Sequence, residues 1–240
     1  MPHAELELID LFPIVTHPHT PRELALEKYG IEPLRPIRRA ETCDNLLDAI
    51  IDGNGAGDVH SAFEDALKAS PVYKKWQSSM PYLKDVPQLS AYRNKKKKLN
   101  DVEAINRELM RVGGHLPFGQ VLYRGGCFLT SCISISDGPI STSMHPSVAW
   151  WHAKEVKGQI AILRIADNGV LGFVYKATGH QRLKHEYEVL LQNHLRLEQT
   201  STRLHIDMEI RSYNVYGGTK TPSVLVKRMK PAEAFSRRTS

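Results

Sequence analysis

The chain has 240 residues, room for one generous domain or for a domain with an appended lobe, and its 41% apolar and 24% charged residues exclude a chain disordered throughout. No apolar stretch approaches the roughly 18 residues that span a bilayer, and the start MPHAELELID lacks the basic end and apolar run of a signal peptide, so the expected setting is a cytoplasm with no membrane partner. A net charge of +6 suits negatively charged partners, whether nucleic acid, nucleotide or acidic protein, without bearing on fold.

Residues 1–40 carry Pro2, Pro13, Pro18, Pro21, Pro33 and Pro36, which leave only PRELALEKYG as a helical piece and suggest an arm wrapped over the rest. DNLLDAII (44–51) has helical spacing, with Thr42 or Asp44 as N-cap and GNGAGD as its end. That glycine-rich loop is read as a turn, because no Gly-Lys-Ser/Thr follows it. A helix is expected over 59–69, capped by Asp58 and closed by Ser70-Pro71, and then short helices anchored in the core by Tyr73, Trp76 and Tyr82. Arg93–Lys98, RNKKKK, is the steepest basic run and reads as a solvated helix start. Residues 101–112, with Val102, Ile105, Leu109 and Val112 on one stripe, form an amphipathic helix ended by Gly113-Gly114.

From there the pattern turns extended. QVLYRGG is a short strand that sets Arg124 beside Gly125, where a backbone can approach a ligand closely. A turn at 137–139 precedes the strand ISTS, and His145-Pro146-Ser147 opens a helix containing Trp150 and Trp151. IAILRI reads as a central strand, followed by GFVYKA, the polar loop TGHQRLK, EYEVLL, MEIRSYNVYGG and PSVLVKRM. Helices first and strands afterwards predict an α+β fold, divided as an N-terminal arm and helical lobe (1–115) and a sheet-rich core (116–240), which could also be one continuous domain. Cys43, Cys127 and Cys132 are widely spaced and expected to be reduced and buried. The four histidines near the expected cleft, His145, His152, His180 and His185, show no metal-site spacing and are read as structural or solvated.

Glu186 and Glu188 lie two apart just before an apolar run. In an extended segment both carboxylates share a face while Tyr187 turns away, an arrangement suited to stabilising a developing cation and taking up a proton. Alone, Glu-x-Glu is as compatible with a solvated strand. Arg124 at a strand, Ser141-Thr142-Ser143 before a helix and Glu186-x-Glu188 on a later strand occur in that order, however, and together they resemble the arginine-serine-glutamate class of mono-ADP-ribosyltransferases, which includes actin-modifying toxins and enzymes of T-even phages. The likeness covers about residues 117–230.

The resemblance implies two short antiparallel sheets facing across an NAD cleft, with the helices of 44–112 alongside and no metal. It implies that Glu188 stabilises the ribosyl cation through a ribose hydroxyl, and that Glu186 orients and helps deprotonate an acceptor arginine on a host protein. Arg124 would pair with the NAD diphosphate, for which its planar fork suits it. Ser141 would hold Glu188, Thr142 and Ser143 would support the strand and nicotinamide pocket, and Phe173 or Tyr175 would supply an aromatic for the nicotinamide. Three alternatives stay open: transfer to RNA or other nucleic acid recruited by Lys95–Lys98, plain NAD glycohydrolysis, and a catalytically silent binding module of the same fold.

Overall fold

The computed structural model describes residues 3–16, 39–53, 55, 57–94, 101–126, 132–156, 158–176 and 187–217. Residues 3–16 run along the rest of the chain. Glu5 bridges to His115, Gln120 Oε1 accepts from the Ile9 amide at 3.0 Å, and the Trp76 indole donates to the Glu7 carbonyl at 2.9 Å. Strands β1 (Ile14–Val15) and β2 (Arg39–Ala40) then pair as a small two-stranded sheet.

Helix α1 spans Cys43–Asp52, and Thr42 wins the N-cap, accepting from the Asn45 amide. Helix α2 spans Asp58–Ala69, so Asp58 is its first residue and Gly57 its cap. Ser70 closes α2 and caps α3 (Pro71–Ser79), with Pro71 in the first turn where its missing N–H costs nothing. Tyr73 and Trp76 of α3 are buried as expected, whereas Tyr82 is 57% exposed, so it is no core anchor. Its ring instead lies under the Lys176 ammonium, 4.0 Å from the centroid. Helix α4 (Pro87–Arg93) is short, with no capping side chain of its own. The buried Glu108 of α5 (Val102–Val112) supplies that service from outside, accepting from the Leu89 amide at 2.8 Å.

The strands follow as β3 (Gly114–His115), β4 (Val121–Gly126), β5 (Ile133–Ile135) and β6 (Ile140–Ser143). After helix α6 (Pro146–Glu155) come β7 (Gln159–Ile165), β8 (Leu171–Val174), β9 (Glu188–Leu191), β10 (Arg196–His205) and β11 (Met208–Tyr216). The architecture is therefore α+β in the expected order. The strands run β3-β8-β9-β6-β4-β7-β11-β10-β5, antiparallel except for the parallel pair β7/β11. This sheet is two halves with a seam. The halves meet between β6 and β4 through one residue pair, Tyr123 and Ser143, whereas β4 and β7 are paired over six residues. β7 is buried along nearly its whole length, as its apolar run requires. β10 is absent from the sequence reading because RLEQTSTRLH buries only Leu197; the ladder to β11 holds it rather than an apolar face. The expected strand at 222–229 and the helix in PRELALEKYG lie outside the described residues.

Apolar side chains of α1–α5 and of the sheet form one core cluster, with Leu46, Leu67, Trp76, Leu109, Leu163 and Leu190 all inaccessible or nearly so. Cys43 is buried, while Cys132 is exposed, contrary to expectation, because it lies just before the edge strand β5. Helix α6 lies directly on β4 at Gly125. A Cβ there would stand 1.7 Å from the Ala149 carbonyl oxygen, so the glycine admits a helix backbone.

Gly125→Ala is expected to cost about 1–3 kcal/mol through overpacking, read from the midpoint of urea unfolding at unchanged m-value. An unchanged midpoint would mean that α6 is not seated on β4 as described.

Candidate active site

The antiparallel register of β6 and β9 sets Ser143 opposite Glu188 and Ser141 one diagonal step away on the same face. From that position the Ser141 hydroxyl donates to Glu188 Oε1 at 2.8 Å. The Thr142 hydroxyl turns to the backbone, donating to the Val189 carbonyl at 2.6 Å, and the Ser143 hydroxyl accepts from the His145 amide at 2.9 Å. Across the seam, Arg124 of β4 donates from Nη1 to the Ser141 carbonyl at 2.7 Å. Burial lowers the pKa of this guanidinium from its ordinary value.

These groups share one cavity of about 380 Å³, lined by Arg124, Gly125, Ser141, Thr142, Ser143 and Glu188 from the sheet and by Val148, Ala149, His152, Glu155 and Val156 from α6 and its end. Arg124, Gly125, Ser141, Thr142, Ser143 and Glu188 are thus brought together. Glu188 itself is only 8% exposed, with one edge on the cavity.

Other expectations change. Glu186 lies outside the described residues, and the extended run needed for i, i+2 alternation begins only at Glu188, because Tyr187 has a φ of 45°. Tyr187 turns away as expected: it is buried, and its hydroxyl donates to Glu64 Oε1 at 2.5 Å. Phe173 and Tyr175 do not line the cavity. Phe173 sits opposite Leu190 in the β8/β9 ladder, and Tyr175 is buried with its hydroxyl donating to the Leu89 carbonyl at 3.2 Å, so both serve the core beside the site.

Arg93 and Tyr92 are additions. The basic run predicts a solvated Arg93, yet its side chain is 6% exposed and its Nε lies 3.8 Å from Glu188 Oε2. Its guanidinium rests on the Tyr175 ring, 4.7 Å from the centroid, and Nη1 approaches the Lys176 carbonyl at 3.4 Å. Burial and the charge of Glu188 raise the Tyr92 hydroxyl pKa, while Arg124 opposes the rise. A signal existed in Pro87, which opens a helix ending at Arg93 and separates that arginine from the lysines after it.

A second polar cluster supports β9 and α6 from α2. His145 caps α6, its Nδ1 accepting from the Ser147 amide at 3.2 Å, and the His60 ring meets the Ser147 hydroxyl at 2.6 Å. Burial, aided by His60, depresses His145 to about 3. Burial works to raise Glu64, but the Tyr187 hydroxyl and the Lys68 ammonium outweigh it and hold the carboxyl down at about 2. His152 is on the cavity wall and exposed. His180 and His185 lie outside the described residues.

No protein-family model matches the chain, and no curated protein matches it. Solved structures do. The ADP-ribosylating toxin BECa of a binary enterotoxin of C. perfringens, solved with NADH, is 16% identical at a TM-score of 0.44 over 66% of this chain and 48% of its own. The chain is similar in fold to such toxins. The Vis toxin, an ADP-ribosyltransferase from Vibrio splendidus, is 13% identical at a TM-score of 0.37, over 79% of this chain and 92% of its own. The enzymatic component C2-I of the C2 toxin from Clostridium botulinum is 16% identical at 0.38, over 61% and 45%. The chain thus spans about half the length of BECa and of C2-I.

Because folding keeps His145 neutral, its contribution to stability is complete above about pH 6.5 and drains as the pH falls toward 3. Glu64, held low, begins to contribute loss only below about pH 4.5. Between pH 6.5 and 4.5 stability is therefore expected to fall by up to about 1.4 kcal/mol per unit for His145, with His60, also depressed by burial, adding to the slope. Urea unfolding at stepped pH checks this. His145→Asn, which keeps a capping acceptor, is expected to flatten the slope, and an unchanged slope would remove His145 as its source.

Proposed function

We propose that this protein is an NAD-dependent mono-ADP-ribosyltransferase that cleaves the nicotinamide–ribose bond and transfers ADP-ribose to an arginine of a host protein. The observation that carries this reading is the Ser141 hydroxyl on Glu188 Oε1 at 2.8 Å, in one cavity with Arg124. A carboxylate held by a hydroxyl, sheltered from most solvent and open on one side, is the group needed beside a sugar that gains positive charge as its bond to nicotinamide breaks. A buried guanidinium at the other side of the seam suits a diphosphate, which it can meet with two parallel hydrogen bonds.

In this reading Arg124 binds the diphosphate and Glu188 receives the ribose hydroxyl. Glu186, immediately before Tyr187 in sequence, serves the acceptor guanidinium. The likeness to toxins described as ADP-ribosylating agrees with the reading but does not carry it, and the arginine target rests on Glu186 being an acid.

Glu188→Gln keeps the shape and removes the charge, and is expected to slow every reaction of NAD by about a hundredfold or more. Glu186→Gln is expected to spare slow NAD hydrolysis while abolishing transfer to arginine. Labelled NAD with a cell lysate measures both, with label on protein separated from label on RNA and from free ADP-ribose. Equal losses of both activities in both folded variants would overturn the division of roles, and absence of NAD cleavage by the unaltered protein would overturn the enzyme. Arg124→Lys is expected to weaken NAD binding in calorimetry, and unchanged affinity would take Arg124 out of the site.

A further inference from the structure

We propose that Arg93, from the helical part of the chain, is a positioning residue that fixes the second oxygen of Glu188; the proposal rests on the ADP-ribosyltransferase reading. The Ser141 hydroxyl holds Oε1 from β6. The Arg93 Nε lies 3.8 Å from Oε2, an ion pair beyond hydrogen-bond reach, so one oxygen takes a hydrogen bond from β6 while the other faces a buried guanidinium from α4. The charge of that guanidinium draws Oε2 toward α4 and favours the ionised form of the carboxylate.

Arg93 is built to hold this place. Its guanidinium is stacked on Tyr175, its Nη1 is directed at the Lys176 carbonyl, and its side chain is almost wholly buried. The helix that carries it is pinned at Leu89 twice, by Glu108 of α5 on the amide and by the Tyr175 hydroxyl on the carbonyl. Tyr175 is pinned in turn, its amide donating to the Glu188 carbonyl at 3.1 Å. A lysine could not stack its charge in this way, because the delocalised plane of arginine is what lies flat on the ring. The other groups that sense the Glu188 charge are the hydroxyls of Tyr92 on α4 and of Tyr175 after β8. Both are neutral hydroxyls, whereas Arg93 carries a permanent charge beside the acid.

The test compares Arg93→Met, which keeps most of the bulk, with Arg93→Lys, both checked for folding by thermal unfolding. In NAD hydrolysis, Arg93→Met is expected to lower kcat by about 10- to 100-fold with little change in KM, and to move the acid limb of the kcat profile up by about one pH unit. Arg93→Lys is expected to restore the acid limb and part of kcat. A rise in KM at unchanged kcat would overturn the proposal, since Arg93 would then be holding substrate. If the unaltered protein cleaves no NAD, the enzyme reading fails, but the pair is still decided without activity. NMR titration of protein labelled with ¹³C at the glutamate carboxyls, with the Glu188 signal assigned through Glu188→Gln, is expected to show that signal titrating at higher pH in Arg93→Met. An unmoved signal would overturn the proposal. Should Arg93→Met fail to fold, Arg93→Gln, which also removes the charge, is read by the same two measurements, and full activity with an unmoved signal in that variant would overturn the proposal.

Discussion

The register between β6 and β9 is the constraint on which the site depends. Strand side chains alternate, so a slip of one residue would carry Glu188 to the opposite face and out of reach of the Ser141 hydroxyl. Polar contacts lock the register inside and at its end: the Thr142 hydroxyl holds the Val189 carbonyl, and the Met144 amide donates to the Tyr187 carbonyl at 3.0 Å. The second of these lies where the chain leaves the strand, at a residue in the left-handed region. For a tyrosine that conformation costs free energy, which the buried ring and its bond to Glu64 help to offset.

The seam does the complementary work. Because β4 and β6 share only the pair of Tyr123 and Ser143, the sheet keeps an opening beside the ladder, and Arg124 crosses it to reach the Ser141 carbonyl. A fully zipped sheet would have spent these backbone groups on strand pairing. Helix α6 closes one wall of the opening, and only a glycine at 125 lets it lie close enough.

Much of this was legible because its signals are local. Thr42 announces a helix start, Ser70-Pro71 a helix end, the run IAILRI a buried strand, and the order of Arg124, Ser141 and Glu188 the candidate site. What escaped depends on distant partners. Arg93 looks solvated beside four lysines, and only the packing of α4 against Tyr175 turns it inward. Phe173 and Tyr175 satisfied a need for aromatics and share the sheet face of Glu188, but α4 covers that face over Tyr175, which alternation along β8 alone does not record. β10 has one buried apolar residue, and its ten residues are held by main-chain bonds, which leave no periodic trace in side-chain polarity. Tyr187 breaks an alternation that the letters on either side of it appear to continue only because sequence does not record a backbone angle.

The two margins of the large sheet are treated differently. At one, β3 is covered by the chain's own beginning, with the Leu6 amide donating to the His115 carbonyl and the His115 amide to the Ala4 carbonyl. At the other, β5 is the last strand among the described residues, and it sets Ile133 and Ile135 toward solvent. An edge strand that shows isoleucines is a template on which foreign strands can add, but β5 is only three residues long, too short a landing for a stable new ladder. Loss of residues 4–6 would bare the main-chain groups of His115 at the other margin, so this short stretch caps the sheet as well as packing against its core.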